Sequence, residues 1–252
     1  LYNTLWKPIA SYIKNKKVTI IPDGILFNLN FDMLVIEPMN SFKDFLTKSL
    51  LTKHIFSYHY SLFMLDQPTV NDKIIENYVA FAPGFSDIVK QQYLSISKDS
   101  IDLDYAYLQL LPQPATNKLT KKIKGMLGGN VFLEGESTKN SFRVNAGGHK
   151  IIHIGTHAEF NNIKPEHSGL FFTKNKTGSD NNFLSLNDIY SCSMASNLTI
   201  LSACESGKPG YQDGEGMVSL AHAFNYAGSQ RILMALWKID EQSSSRITEF
   251  FI

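Results

Sequence analysis

Two side chains in this sequence have the chemistry and the setting of a reactive pair. Cys204 ends the apolar, β-branched run Asn197-Leu-Thr-Ile-Leu-Ser-Ala, which has the pattern of a strand buried on both faces of a parallel sheet, and a glycine-rich stretch follows it. His157 ends a second such run, Lys150-Ile-Ile-His-Ile-Gly-Thr, 47 residues upstream. If the two strands are parallel neighbours, imidazole and thiol meet at the carboxyl edge of the sheet, where open α/β folds bind ligands. A free thiol is mostly protonated near neutral pH, and an adjacent imidazole draws it toward the nucleophilic thiolate. The chemistry expected is nucleophilic catalysis, set against the plainer reading of Cys204 as an inert buried thiol.

The elements that must position this pair follow from apolar periodicity. Leu5, Ile9, Tyr12 and Ile13 share one face of a helix over 5–13. Val18 to Ile21 and Ile25 to Phe27 flank Pro22-Asp23-Gly24, which predicts a hairpin with Asp23 as a turn residue. Residues from about 40 to 75 read as helix and connecting segments, with His54 and His59 as packing or surface residues. A strand over 77–82 ends at Pro83-Gly84, and 87–111 is weakly patterned. A helix over 116–127 stops at Gly128-Gly129, a short strand covers 131–133, and Ser137 or Thr138 caps a helix to about Ala146.

From there strands and helices alternate. The His157 strand over 150–156 precedes a hairpin built from 169–173 and 183–186, and a short helix begins near Asp188. After the Cys204 strand come a helix over about 215–226, a strand over 231–237 and a helix from Glu241. This alternation predicts an α/β fold, a mostly parallel sheet with helices on both faces.

Composition narrows the functional class. A formal charge of +1 and no basic stripe argue against a nucleic-acid groove. Two cysteines, Cys192 and Cys204, do not make a disulfide framework and suit a reducing, cytoplasmic setting. No apolar run approaches the roughly 18 residues a membrane-crossing helix needs. On a strand His153 and His157 stand about 13 Å apart, too far to share a zinc ion, and Gly214-Glu-Gly216 lacks the third glycine of a dinucleotide fingerprint. No metal and no cofactor is therefore expected. Cys192 reads as a small buried hydrophobe, and His149, His167 and His222 as loop or helix-surface residues. The apolar ends, Leu1 and Phe250-Phe251-Ile252, are those expected of a piece of a longer polypeptide.

The sequence resembles the CHAT family, caspase-like peptidases often fused to tetratricopeptide repeats. The resemblance is carried by Pro22-Asp23-Gly24 with Phe31, His153-Ile-Gly-Thr-His157, Ser168-Gly-Leu, Leu201-Ser-Ala-Cys204-Glu-Ser-Gly207, Gly214-Glu-Gly216, Ala227-Gly228 and Leu236-Trp237-Lys-Ile-Asp240. It implies a caspase and separase type fold, with a degenerate or accessory N-terminal part over 1–76 and a peptidase core over 77–252 that lacks its last segment. It further implies a cysteine endopeptidase in which His157 serves Cys204, with the backbone N–H groups of Cys204 and Ala158 as the oxyanion hole. Family members usually have glycine where Ala158 stands.

For substrate binding, the resemblance to separases points to Asp240 or Glu241, just after the Leu-Trp strand, as an acid for a basic P1 side chain. Asp213 or Glu215 could serve instead, set against the plainer reading of these carboxylates as helix N-terminal or solvated charges. Ser202 could line the P1 pocket, and Trp237 could floor it or belong to the core. Expected partners are a protein substrate bound as an extended strand and a regulatory module, either attached tetratricopeptide repeats or an RNA-guided effector. Two other readings stand beside the endopeptidase: a catalytically silent caspase-like scaffold, and a thiol redox module using Cys192 and Cys204.

Overall fold

The computed structural model describes residues 1–14, 17–62, 74–97, 103–161, 164–175, 181–203, 210–212, 216–218 and 220–252. The chain divides into two units, Leu1–Pro68 and Thr69–Ile252.

In the first unit Pro8 overrules the apolar periodicity. Its ring lacks an N–H and clashes with the carbonyl four residues back, so no single helix covers 5–13. A π-helical turn at Tyr2–Trp6 and a 3-10 turn at Ala10–Tyr12 take its place. The hairpin expected at 18–27 is also replaced. Strand β1 (Lys17–Ile20) pairs in parallel with β2 (Ile55–Tyr58), and a crossover carrying the short helix α1 (Phe45–Lys48) joins them. Asp23 keeps its turn role, accepting the Gly24 N–H, but the apolar Ile25-Leu26-Phe27 continues as a 3-10 turn over Gly24–Asn28. A three-residue apolar run has too little alternation to distinguish the two outcomes. Trp6, Phe31, Leu34 and Leu50 form the core of this unit.

The second unit begins with β3 (Glu76–Ala82), whose Tyr78 to Ala82 are fully buried. The weakly patterned stretch that follows holds α2 (Asp87–Ile96) and α3 (Tyr105–Gln109), the latter capped by the Asp104 carboxylate. Helix α4 (Pro114–Leu127) has proline in its first position, where the missing N–H is harmless, and Gly128 at φ 75° ends it. Next come β4 (Asn130–Leu133) and α5 (Lys139–Asn145), with Thr138 and Ser141 forming a reciprocal capping box. Strand β5 (His149–Ile154) leads into β6 (Ala158–Glu159), β7 (Gly169–Phe171) and β8 (Phe183–Ser185), a small antiparallel sheet containing the expected hairpin. Helix α6 (Leu186–Tyr190), capped by Ser185, then precedes β9 (Leu198–Leu201).

The helix expected from 215 starts only at Leu220. The glycine-flanked residues before it form β10 (Gly210–Gln212) and β11 (Gly216–Val218), an antiparallel pair, because glycine is a poor helix former. Helix α7 (Leu220–Tyr226), β12 (Ile232–Met234) and α8 (Glu241–Phe251) complete the unit.

Five strands make one wholly parallel sheet in the order β12-β9-β5-β3-β4. Side chains alternate between its faces, and the two apolar clusters follow that alternation. Tyr78, Ala80 and Ile151 face Leu119 and Ile123 of α4. Val79, Phe81, Ile152, Ile154 and Leu201 face Phe142 of α5, Ile189 of α6 and Phe224 of α7. The molecule is thus mixed α/β with helices on both faces of a parallel sheet. Helices α4 and α8 are joined at two points: the Glu241 carboxylate accepts the Thr116 N–H at 2.8 Å, and Lys122 pairs with Glu249.

Phe81 lies at the centre of the larger cluster, its ring 5.2 Å from Phe132 and 5.1 Å from Phe142. Phe81→Ala should lower the unfolding free energy of this unit by about 3–5 kcal/mol, read from the urea midpoint at unchanged slope. A change below about 1 kcal/mol would show that this packing does not hold the sheet.

Candidate active site

In the order β12-β9-β5-β3-β4 the chain reverses its direction of progress between β3 and β5, and the carboxyl ends beside such a reversal form the crevice of doubly wound folds. Both ends carry unusual residues. After β3, Phe85 is fully buried at φ 49°, a conformation that non-glycine residues keep only where their surroundings enforce it. After β5 comes His157, half-buried, with its ring 5.4 Å from that of Phe85. Tyr107 supports Phe85 from behind at 6.0 Å.

The backbone at His157 is pinned to the end of β7. The Thr156 hydroxyl donates to the Phe171 carbonyl, and the Phe171 N–H donates to the His157 carbonyl at 3.0 Å. The imidazole is oriented by a main-chain group, its Nε2 lying 2.8 Å from the Leu111 carbonyl oxygen. A carbonyl only accepts, so Nε2 carries the hydrogen and, in the neutral ring, Nδ1 keeps the lone pair. Among the described residues Nδ1 has no hydrogen-bond partner. Such an imidazole can take a proton at Nδ1 while donating at Nε2.

Strand β9 lies directly beside β5, with Ile154 opposite Leu201 and the Ser202 N–H donating to the Ile154 carbonyl at 2.9 Å. His157 follows Ile154 by three residues, and Cys204 follows Leu201 by three. Cys204 itself, with Asp213 and Glu215, lies outside the described residues.

The other expected site residues are distributed differently. Ser202 is 9% exposed and turns its hydroxyl toward His153, 2.9 Å from Nε2, while Nδ1 of the same ring meets the Tyr78 hydroxyl at 3.0 Å. This buried Tyr78-His153-Ser202 chain ties β3, β5 and β9 together beneath the crevice. Ala158 stands outside the left-handed backbone region, so alanine in place of glycine strains nothing there. Trp237 lies beyond the end of β12 and is 50% exposed, which removes the core reading.

Asp240 accepts the N–H groups of Gln242 and Ser243 as the N-cap of α8, and hydrogen bonds from Ser243 hold its carboxyl below the usual range. Glu241 accepts the Thr116 N–H near the start of α4. Both carboxylates therefore serve helix termini.

Two of the histidines read as loop or helix-surface residues are more enclosed than that. His149 is buried at the start of β5, 3.3 Å from the Glu76 carboxylate, and His222 on α7 is partly buried beside the Tyr190 hydroxyl at 2.9 Å. The Cys192 thiol donates to the Asp188 carbonyl at 3.2 Å, and burial pushes its pKa up, away from the thiolate a redox pair needs. Among the described residues no three His, Cys, Asp or Glu side chains converge on a common point.

Leu111 and Phe85 were not legible as site residues. A carbonyl acceptor has no residue-type signature, and Phe85 is one apolar residue among many. The only local signal was the Pro83-Gly84 break before Phe85 and the Leu111-Pro112-Gln113-Pro114 alternation.

Burial pushes His153 down to about 4, so it is neutral in the folded protein at neutral pH. Below about pH 6.5 the unfolded chain binds a proton that the native chain refuses, and stability must fall as pH drops from 6.5 to 4. The loss attributable to this ring should reach about 3 kcal/mol and be absent in His153→Gln, measured by urea unfolding at pH 7, 5.5 and 4. An unchanged pH dependence in the variant would assign the slope to other groups.

A comparison with curated proteins finds no significant match. The family model described as CHAT domain matches residues 1–252, the whole chain. The parallel sheet, the histidine just past β5 at its switch point and the full-length match agree: the chain belongs to the CHAT family, whose domain is of the caspase-like cysteine peptidase type.

Proposed function

We propose that the chain is a cysteine endopeptidase that cleaves a protein substrate through Cys204 and His157. The observation that carries this reading is the Leu111 carbonyl on Nε2 of His157, because it fixes the tautomer whose Nδ1 can take a thiol proton. The parallel pairing of β5 and β9 supports it, since the two residues follow their strands at equal distance. Cys204 Sγ attacks the scissile carbonyl as its proton passes to Nδ1. The backbone N–H groups of Cys204 and Ala158 hold the oxyanion, and the imidazolium then protonates the leaving amine. Water, deprotonated by the same nitrogen, hydrolyses the thioester and frees the thiol.

The substrate lies as an extended strand, held by main-chain hydrogen bonds and selected by pockets. Asp240 and Glu241 serve helix ends, so Asp213 and Glu215, in the loop after Cys204, are the acids proposed to receive a basic P1 side chain, with Trp237 as a wall. Residues 1–76 act as the accessory part and 77–252 as the peptidase core. CHAT domains are often fused to tetratricopeptide modules, and no described helix is long and apolar enough to cross a membrane. Control by such a module, or by an RNA-guided effector, in the cytoplasm completes the reading.

Cleavage of a peptide library should fall by about three orders of magnitude or more in Cys204→Ala and His157→Ala and persist in Cys192→Ala. Activity surviving Cys204→Ala would discard the proposal. The same library should show Arg or Lys at P1, with the preference weakened in Asp213→Asn or Glu215→Gln. An apolar P1 preference would remove both acids from the pocket.

A further inference from the structure

The acceptor for His157 sits on a segment poorly equipped to hold itself. Leu110-Leu111-Pro112-Gln113-Pro114 contains two prolines, so only Leu110, Leu111 and Gln113 have backbone N–H groups. Leu111 and Gln113 each precede a proline and are kept from the helical region, which makes the segment a stiff strut rather than a folded turn. Its position is set from outside. The Gln113 N–H donates to the Gly84 carbonyl at 2.8 Å, and the Leu110 N–H to the Tyr107 carbonyl at 3.2 Å. Just beyond the strut, Thr116 packs so closely on Gly155 that a Cβ there would stand 2.0 Å from its methyl group.

One further hold is a charged side chain. Lys90, on α2, reaches across with Nζ 2.6 Å from the Leu110 carbonyl oxygen, the peptide group immediately before the carbonyl that His157 uses. Neighbouring α2 residues show why it is within reach. Val89 and Tyr93 bury the inner face of the helix, and half-buried Lys90 lies at the margin of that face. A lysine at such a margin ordinarily carries its ammonium into water while its stem covers apolar surface. Here the ammonium is applied to a neutral main-chain carbonyl, a charge-assisted bond stronger than one between neutral groups.

We propose that Lys90 is a positioning residue for His157: by holding the Leu110 carbonyl it keeps the Leu111 carbonyl facing Nε2–H and so selects the tautomer with Nδ1 free to accept a proton. Lys90 acts through the strut alone. When its ammonium is removed the strut relaxes, Nε2–H loses its fixed acceptor, and the ring also populates the Nδ1–H tautomer, which cannot accept the thiol proton. The consequence for turnover rests on the reading of His157 as general base; the consequence for the tautomer does not.

The test compares wild type with Lys90→Met, which keeps the stem, and Lys90→Arg, which keeps a cationic donor. In protein labelled with 15N-histidine, the His157 resonances are assigned by their absence in His157→Gln and recorded at alkaline pH, where the ring is neutral. Wild type and Lys90→Arg should show a single Nε2–H tautomer, and Lys90→Met a mixture. On a peptide cleaved by wild type, Lys90→Met should lose about 10- to 100-fold in kcat with KM within about threefold, and Lys90→Arg should recover most of that loss. If Lys90→Met does not fold, Lys90→Gln takes its place with the same expectation. A single Nε2–H tautomer in the uncharged variant overturns the proposal, as does a loss expressed in KM alone. Should wild type cleave no peptide, the peptidase reading fails and the tautomer populations still decide the role of Lys90.

Discussion

Strand β5 is hydrogen-bonded on both edges, to β3 on one side and β9 on the other, and the register of those two ladders is the constraint from which the rest of the site follows. Ile154 stands opposite both Phe81 and Leu201, so β5 and β9 end level and β3 runs one residue further. A slip of one residue in either ladder would turn every buried side chain of β5 to the wrong face. It would exchange Ile152 and Ile154, which fill the larger apolar cluster, with His153, which needs the Tyr78 and Ser202 hydroxyls. The apolar residues give the register its energy, and the buried polar chain gives it uniqueness. A displaced His153 would face hydrocarbon with no partner, and an unpaired buried polar group costs about 1–3 kcal/mol.

Above this fixed floor the crevice is assembled from parts of another kind. The His157 ring is held by an aromatic face, Phe85, and by a main-chain acceptor, Leu111, and both lie on connections rather than strands. Connections can carry such geometry only if something stiffens them. Phe85 is locked by burial against Tyr107 in a backbone conformation it would not choose alone. The Leu111 strut is stiffened by its prolines and by contacts from α2, α4 and the end of β3. This is the usual division of labour in α/β molecules, where a rigid sheet places the chain ends and the loops supply the chemistry.

What could be read from the residues was whatever burial writes into them. The strands before His157 and Cys204, the helix over 116–127 and a helix cap at Ser137 or Thr138 all carry an apolar or capping pattern that local physics enforces. The errors fell where one residue outvotes a pattern. Pro8 breaks a helix whose apolar face is otherwise sound, and Gly216 opens a strand that takes Met217 and Val218. Ile25-Leu26-Phe27 is too short to choose between strand and turn without knowing that the partner of β1 lies at Ile55–Tyr58. In the site, the imidazole was legible and its acceptor was not, because a carbonyl belongs to every residue. Asp240 and Glu241 were legible as carboxylates near a helix start. That the second would cap a different helix, 125 residues away in sequence, depends on tertiary structure alone.

The two attachments between α4 and α8 bear on the mechanics of the molecule. One bond would leave a hinge. The second contact restrains that hinge only weakly, since Lys122 and Glu249 face solvent while the bond from the Thr116 N–H to Glu241 is part-buried. The near end of α4 rests on Gly155, two residues before the histidine, and follows directly on the strut. A shift of the outer helix would therefore be felt first at Thr116, two residues beyond the segment that carries the acceptor of the imidazole.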